Sequence, residues 1–86
     1  MTQEKIKKAK RLSDMIDCRK TDLENITHYE KFHSHSPIEV HIKKHINHIN
    51  SVVFLRDEKL KNDVLNLIKI HLVAEIQKME KELEEI

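Results

Sequence analysis

Six of the seven histidines in this chain fall between residues 28 and 48: His28, His33, His35, His41, His45 and His48. Imidazole titrates near neutrality and is the commonest metal ligand, so this cluster is the sequence's main store of reactive side chains. On a helix, His41, His45 and His48 would share a face at spacings of 4 and 3 and could hold a metal ion. On a strand, only His41 and His45 share a face, and His33-x-His35 becomes a second chelate. A zinc site needs three or four ligands with outer support. No cysteine joins the cluster, and Glu39 is the nearest acid. The expectation is therefore solvated or interface histidines, with metal ligation by His41, His45 and His48 as the alternative. Protonating all seven would move the formal charge from +1 to +8. Mild acid should then loosen any assembly that brings these segments together.

Other chemistry finds less material. Ser34, Ser36 and Ser51 lie near histidines, but sequence proximity is not triad geometry. No carboxylate pair stands on an apolar stripe, so acid–base hydrolysis has no candidate. Cys18 lies beside a predicted helix seam, which favours a packed, inert thiol over an activated one. As the only cysteine, it permits no intrachain disulfide. Glycine is absent, which excludes Walker and Rossmann phosphate loops. The sequence predicts no enzyme and no cofactor.

Two basic stretches, Lys5 to Arg11 and Lys43-Lys44, could meet phosphate. With only Tyr29, Phe32 and Phe54 as aromatics, base stacking has little to work with, which argues against nucleic acid. Arg11, Arg19, Lys43, Lys44 and Arg56 could instead line a site for a small anionic, nucleotide-like ligand if symmetry brought two copies together. Net charge is only +1, and the imbalance is local. Residues 1–20 hold seven bases and three acids, whereas residues 75–86 hold two bases and five acids. No apolar run approaches a membrane span or a secretory signal, so a cytoplasmic setting is expected.

These groups must be positioned by three elements of one domain covering residues 1–86. A first helix is predicted over about residues 3–32. Ala9, Leu12, Ile16, Arg19, Leu23 and Ile26 recur at spacings of 3, 4, 3, 4 and 3, a single seam. Met15 and Cys18 should widen it. Arg19 is the anomaly: it either snorkels to water or pairs across an interface. A second helix is predicted over about 57–86, with Asp57 as N-cap. Its seam runs through Leu72, Ile76, Met79, Leu83 and Ile86.

The connector, about 33–56, is ambiguous. Ile38, Val40 and Ile42 alternate with Glu39, His41 and Lys43, and Ser51 to Leu55 is β-branched and aromatic. That reads as a β-hairpin turning at Asn47-His48. Ser36-Pro37-Ile38-Glu39 instead resembles a helix start, with Ile38, Ile42, Ile46 and Ile49 on one face. The hairpin is preferred, so the fold class is mainly α: two long antiparallel helices joined by a short β-hairpin, αββα.

Antiparallel packing also answers a charge conflict. A helix macrodipole favours acids at its start and bases at its end, but the first helix opens with bases and the second closes with acids. Laying the two side by side offsets both. The centre of the second helix poses a different demand. Val64, Leu65, Leu67, Ile68, Ile70, Leu72, Val73 and Ala74 cover nearly its whole circumference, more than one partner helix can bury. Either the connector folds over it or a second protomer does.

The expected function is a small non-enzymatic oligomerisation or protein-interaction module, a homo-oligomer that could also bind another protein. Its interface would be carried by Leu65, Ile68, Leu72, Ile76, Met79 and Leu83, facing Leu12, Ile16, Leu23 and Ile26. The high Ile, Lys and Asn content and αββα outline resemble small phage or mobile-element proteins in general. Some of those sequester nucleotide signals, which gives the ligand-binding alternative a precedent. No residue motif carries that likeness.

Overall fold

The computed structural model describes residues 2–43 and 50–86. Helix α1 spans Gln3–Phe32 and helix α2 spans Glu58–Glu84; strands β1 (Ile38–Lys43) and β2 (Asn50–Leu55) lie between them. The αββα order is as predicted, and the helical alternative for the connector is overturned. Alternation of apolar and polar residues over 38–43 outweighs the helix-start signal at Ser36-Pro37.

Each helix begins on a side-chain cap. Thr2 Oγ1 accepts from the Lys5 N–H at 3.2 Å, and Asp57 Oδ2 accepts from the Leu60 N–H at 2.9 Å. Each cap satisfies a donor that has no intrahelical partner, and the Asp57 carboxylate also suits the positive end of α2. Helix α1 closes at His33, whose N–H donates to the Tyr29 carbonyl, and a turn follows in which the Ser36 N–H donates to the His33 carbonyl. Pro37 then leads into β1, where its fixed φ suits an extended chain.

The helices pack antiparallel. Leu12 and Ile16 of α1 meet Ile76 and Met79 of α2, with Leu23, Leu83 and Ile86 packed around them. Leu65 and Leu72 complete the buried apolar set. Fully burying each such side chain is worth about 1.5–3 kcal/mol. Ion pairs follow the same register: Arg19 to Glu75 at 2.8 Å, Lys20 to Glu80 at 3.8 Å and Lys69 to Glu30 at 2.9 Å. That register sets Ile86 level with the stretch from Lys8 to Asp14. The two oppositely charged ends are therefore neighbours, but the first turns of α1 run past the end of α2. Among the described residues, none of Lys5, Lys7, Lys8, Lys10 or Arg11 makes an ion pair. The charge conflict at the α1 start is relieved by proximity at most.

Two seam expectations are corrected: Met15 and Cys18 are exposed. Two packed helices bury a narrow stripe, and residues flanking it stay in water. Ile68, three residues after Leu65 and four before Leu72, is in step with the buried stripe of α2 yet 41% exposed. At the level of Ile68, the half-buried position belongs to Lys69, held by Glu30.

The hairpin pairs Ile38 with Leu55, Val40 with Val53 and Ile42 with Ser51 on one face. The other face carries Glu39 with Phe54 and His41 with Val52, and the backbone pairing extends to Lys43 and Asn50. Ile38 and Leu55 at the base are partly covered, as is Ser51, while Val40, Ile42, Val52, Val53 and Phe54 are exposed. The hairpin packs mainly on itself, so its described residues do not blanket the centre of α2. The molecule is elongated, with principal extents of 50 × 35 × 18 Å.

Candidate functional site

Helix α2 has two apolar stripes. Lys61, Leu65, Leu72, Ile76 and Met79 form the inner one and are buried against α1 and the connector. The outer one follows Leu60, Asp63, Leu67, Ile70, Ala74, Gln77 and Lys81, spaced 3, 4, 3, 4, 3 and 4. That heptad alternation is the spacing of a helix that packs along a second partner. Its central side chains lie in water: Leu67 is 69% and Ile70 68% exposed, with Leu60 and Val73 nearly half exposed beside them. A shallow groove runs along it between Lys69, Ile70, Val73, Ala74 and Gln77. A run of apolar side chains on one helix face, rimmed by polar ones, marks an interaction surface more often than a random exposed leucine does.

The residues expected at the interface sort onto the other stripe. Leu12, Ile16, Leu65, Leu72, Ile76 and Met79 are buried within the chain, and Leu23, Ile26 and Leu83 are half-buried there. They hold α1 to α2 and are spent in doing so. Ile68 is in step with the inner stripe but 41% exposed. The apolar side chains of α2 left most exposed, Leu67 and Ile70, lie instead on the outer stripe, which the sequence shows only as unexplained apolar circumference.

A second feature is a groove of about 520 Å³ where α1 begins and α2 ends. Its floor is Leu12, Met15 and Met79; its walls carry Lys8, Arg11, Arg19 and Lys78 against Glu75 and Glu82. Arg19 resolves in favour of pairing. Its Nε donates to Glu75 Oε2 at 2.8 Å, and Asp22 stands 3.8 Å from its other end. The Arg19 hydrogen bond holds the Glu75 carboxyl below its ordinary range against a smaller opposing effect of desolvation, and His71, 2.9 Å away, adds to the lowering. Of the predicted anion ligands, Arg11 and Arg19 line this groove. Arg56 lies over the Phe54 ring at 5.5 Å, Lys43 ends β1, and Lys44 lies outside the described residues.

The histidine cluster divides. The His28 ring lies tilted against Phe32 at 4.8 Å and 5.4 Å from His33; His41 Nε2 is 3.1 Å from Glu39 Oε2. Among the described residues, no three histidine, cysteine or acidic side chains are grouped to hold a metal. His45 and His48 of the expected trio lie outside the described residues, as does the Asn47-His48 turn.

Lys61 is the side chain that sequence reasoning missed. It is 2% exposed, the most buried charged residue described. Its ammonium donates to the Ser34 carbonyl at 2.7 Å and the Ser36 carbonyl at 3.1 Å, and pairs with Glu58 at 3.0 Å. The Tyr29 ring lies 5.9 Å beneath it, and the Tyr29 hydroxyl donates to the Ser36 carbonyl. Hydrogen bonding to Glu58 raises the Lys61 pKa, outweighing desolvation. This cluster ties the 33–37 turn to the first turn of α2. The available signal was its place four residues before Leu65, in step with the inner seam. A lysine there must find acceptors.

No helix among the described residues is long and apolar enough to cross a membrane. No family model, curated protein or solved structure matches the chain.

Proposed function

We propose that this protein is a non-enzymatic self-association module that docks through the outer stripe of α2. The observation that carries the reading is the exposure of Leu67 and Ile70 at the centre of a heptad-spaced stripe on a helix whose opposite stripe is already satisfied. The hairpin adds weight. A two-stranded hairpin with exposed apolar residues on both faces is marginal in water unless something packs on it. A second copy supplies such cover at no cost in new sequence, and closed homo-oligomers are the commonest assemblies of soluble chains. Sedimentation velocity on the intact protein and on Leu67→Glu/Ile70→Glu tests this. The wild type should sediment as an oligomer and the variant as a folded monomer. Identical sedimentation of the two defeats the reading.

A second reading, capture of a small anion, is supported by the convergence of Lys8, Arg11, Arg19 and Lys78 on one groove. It is weakened by Glu75 and Glu82, which occupy the same walls. Millimolar nucleotide should raise the melting temperature by mass action if the groove binds it, and leave it unchanged if not.

A further inference from the structure

We infer that the partner on the outer stripe is a second copy of α2 running antiparallel, with Asp63 of one protomer opposite Lys81 of the other. This rests on the self-association reading and adds its geometry. Three successive exposed apolar positions of the stripe, Leu67, Ile70 and Ala74, lie between an acid and a base of the same stripe, Asp63 and Lys81. Asp63 and Lys81 lie on the same stripe, nine residues before and nine after Leu72. A two-fold axis at that level brings each Asp63 against a Lys81, twice per dimer, because an isologous interface pairs residue i with j and j with i. Ile70 then meets Ala74 of the other copy, a large side chain against a small one, and Leu67 meets the stem of Gln77.

The charges discriminate between orientations. A parallel pair would set Asp63 against Asp63 and Lys81 against Lys81, like charges on the interface seam. Within the chain, neither residue is engaged: among the described residues no ion pair includes Asp63 or Lys81. Both are exposed.

Cross-linking reads the geometry directly. In a Cys18→Ser background, Asp63→Cys and Lys81→Cys proteins are mixed, equilibrated and oxidised. Positions facing each other across an antiparallel seam can reach disulfide distance, whereas like positions cannot. A covalent dimer that forms only in the mixture supports the inference. Covalent dimers in each protein alone indicate a parallel pair and overturn it. No covalent dimer in any sample, from protein that still sediments as an oligomer, overturns the geometry and leaves self-association standing. Monomeric wild type overturns both. A charge swap gives an independent readout. Asp63→Lys and Lys81→Asp should each weaken association about tenfold, and the two together in one chain should restore it. Two single variants and a double variant that all associate like wild type would also refute the pairing.

Discussion

Leu67 and Leu72 lie five residues apart on the same helix, and their alanine variants should fail in different ways. Leu72 is 6% exposed in the inner stripe, and Leu67 is 69% exposed in the outer one. Truncating a buried leucine costs about 2–5 kcal/mol, part transfer free energy and part cavity. A chain of this length is stable by only about 4–13 kcal/mol, so Leu72→Ala should remove a large share. At about 4–8 °C per kcal/mol, the melting temperature should fall by about 8–40 °C at any protein concentration. Leu67→Ala should change the stability of the monomer by less than about 0.5 kcal/mol. If a second copy covers the exposed part of Leu67, its loss costs about 1–2 kcal/mol per protomer. Two copies make about 2–4 kcal/mol, or a dissociation constant raised about thirty- to a thousandfold. Thermal melts followed by circular dichroism at two protein concentrations, with sedimentation equilibrium beside them, separate the two effects. The reasoning is refuted if Leu67→Ala lowers the melting temperature equally at both concentrations, or if Leu72→Ala is neutral.

Further outcomes follow from the polar contacts. Lys61→Met should leave the helices intact but loosen the 33–37 turn, seen as faster amide exchange through β1; unchanged exchange would show the clamp to be idle. The lowered pKa of Glu75 means that its ionised form favours the folded state. Its contribution is complete above the ordinary carboxylate range and is lost as pH falls through its lowered folded value. Glu75→Gln should therefore flatten the acid limb of the stability profile, and an acid limb identical to wild type would contradict that. The raised pKa of Lys61 works in the opposite sense. Its contribution is present below the ordinary lysine range and is lost only as pH rises through its folded value, so it should register in strong alkali alone.

Much of this architecture is legible in the residues. Spacings of three and four from Ala9 to Ile26 and from Leu72 to Ile86 give two helices and the faces they bury. Asp57 marks where the second begins, and Ile38, Val40 and Ile42 alternate as a strand must. Periodicity does not carry the width of the contact. Met15 and Cys18 sit beside a seam that only two helices make, and Ile68 keeps step with Leu65 and Leu72 yet stays exposed; whether such positions are covered depends on the packing of the two helices, which no local spacing encodes. Register is similarly hidden. The charged blocks at the two ends suggest direct pairing, yet the packing of Leu12 and Ile16 on Ile76 and Met79 carries the start of α1 beyond the end of α2. The outer stripe is legible as excess apolar residues at 64–74, but not its exposure: that the described hairpin residues leave Leu67 and Ile70 in water follows from the fold alone. Lys61 was overlooked because its partners are backbone carbonyls at Ser34 and Ser36, which any sequence could supply.

The central claim is that the uncovered stripe of α2 is a seam between copies. Native mass spectrometry of untagged protein across micromolar concentrations addresses it most directly. A population at twice the 10.3 kDa chain mass that grows with concentration, and disappears in Leu67→Glu/Ile70→Glu, is the predicted result. A 10.3 kDa monomer at every concentration would contradict the account.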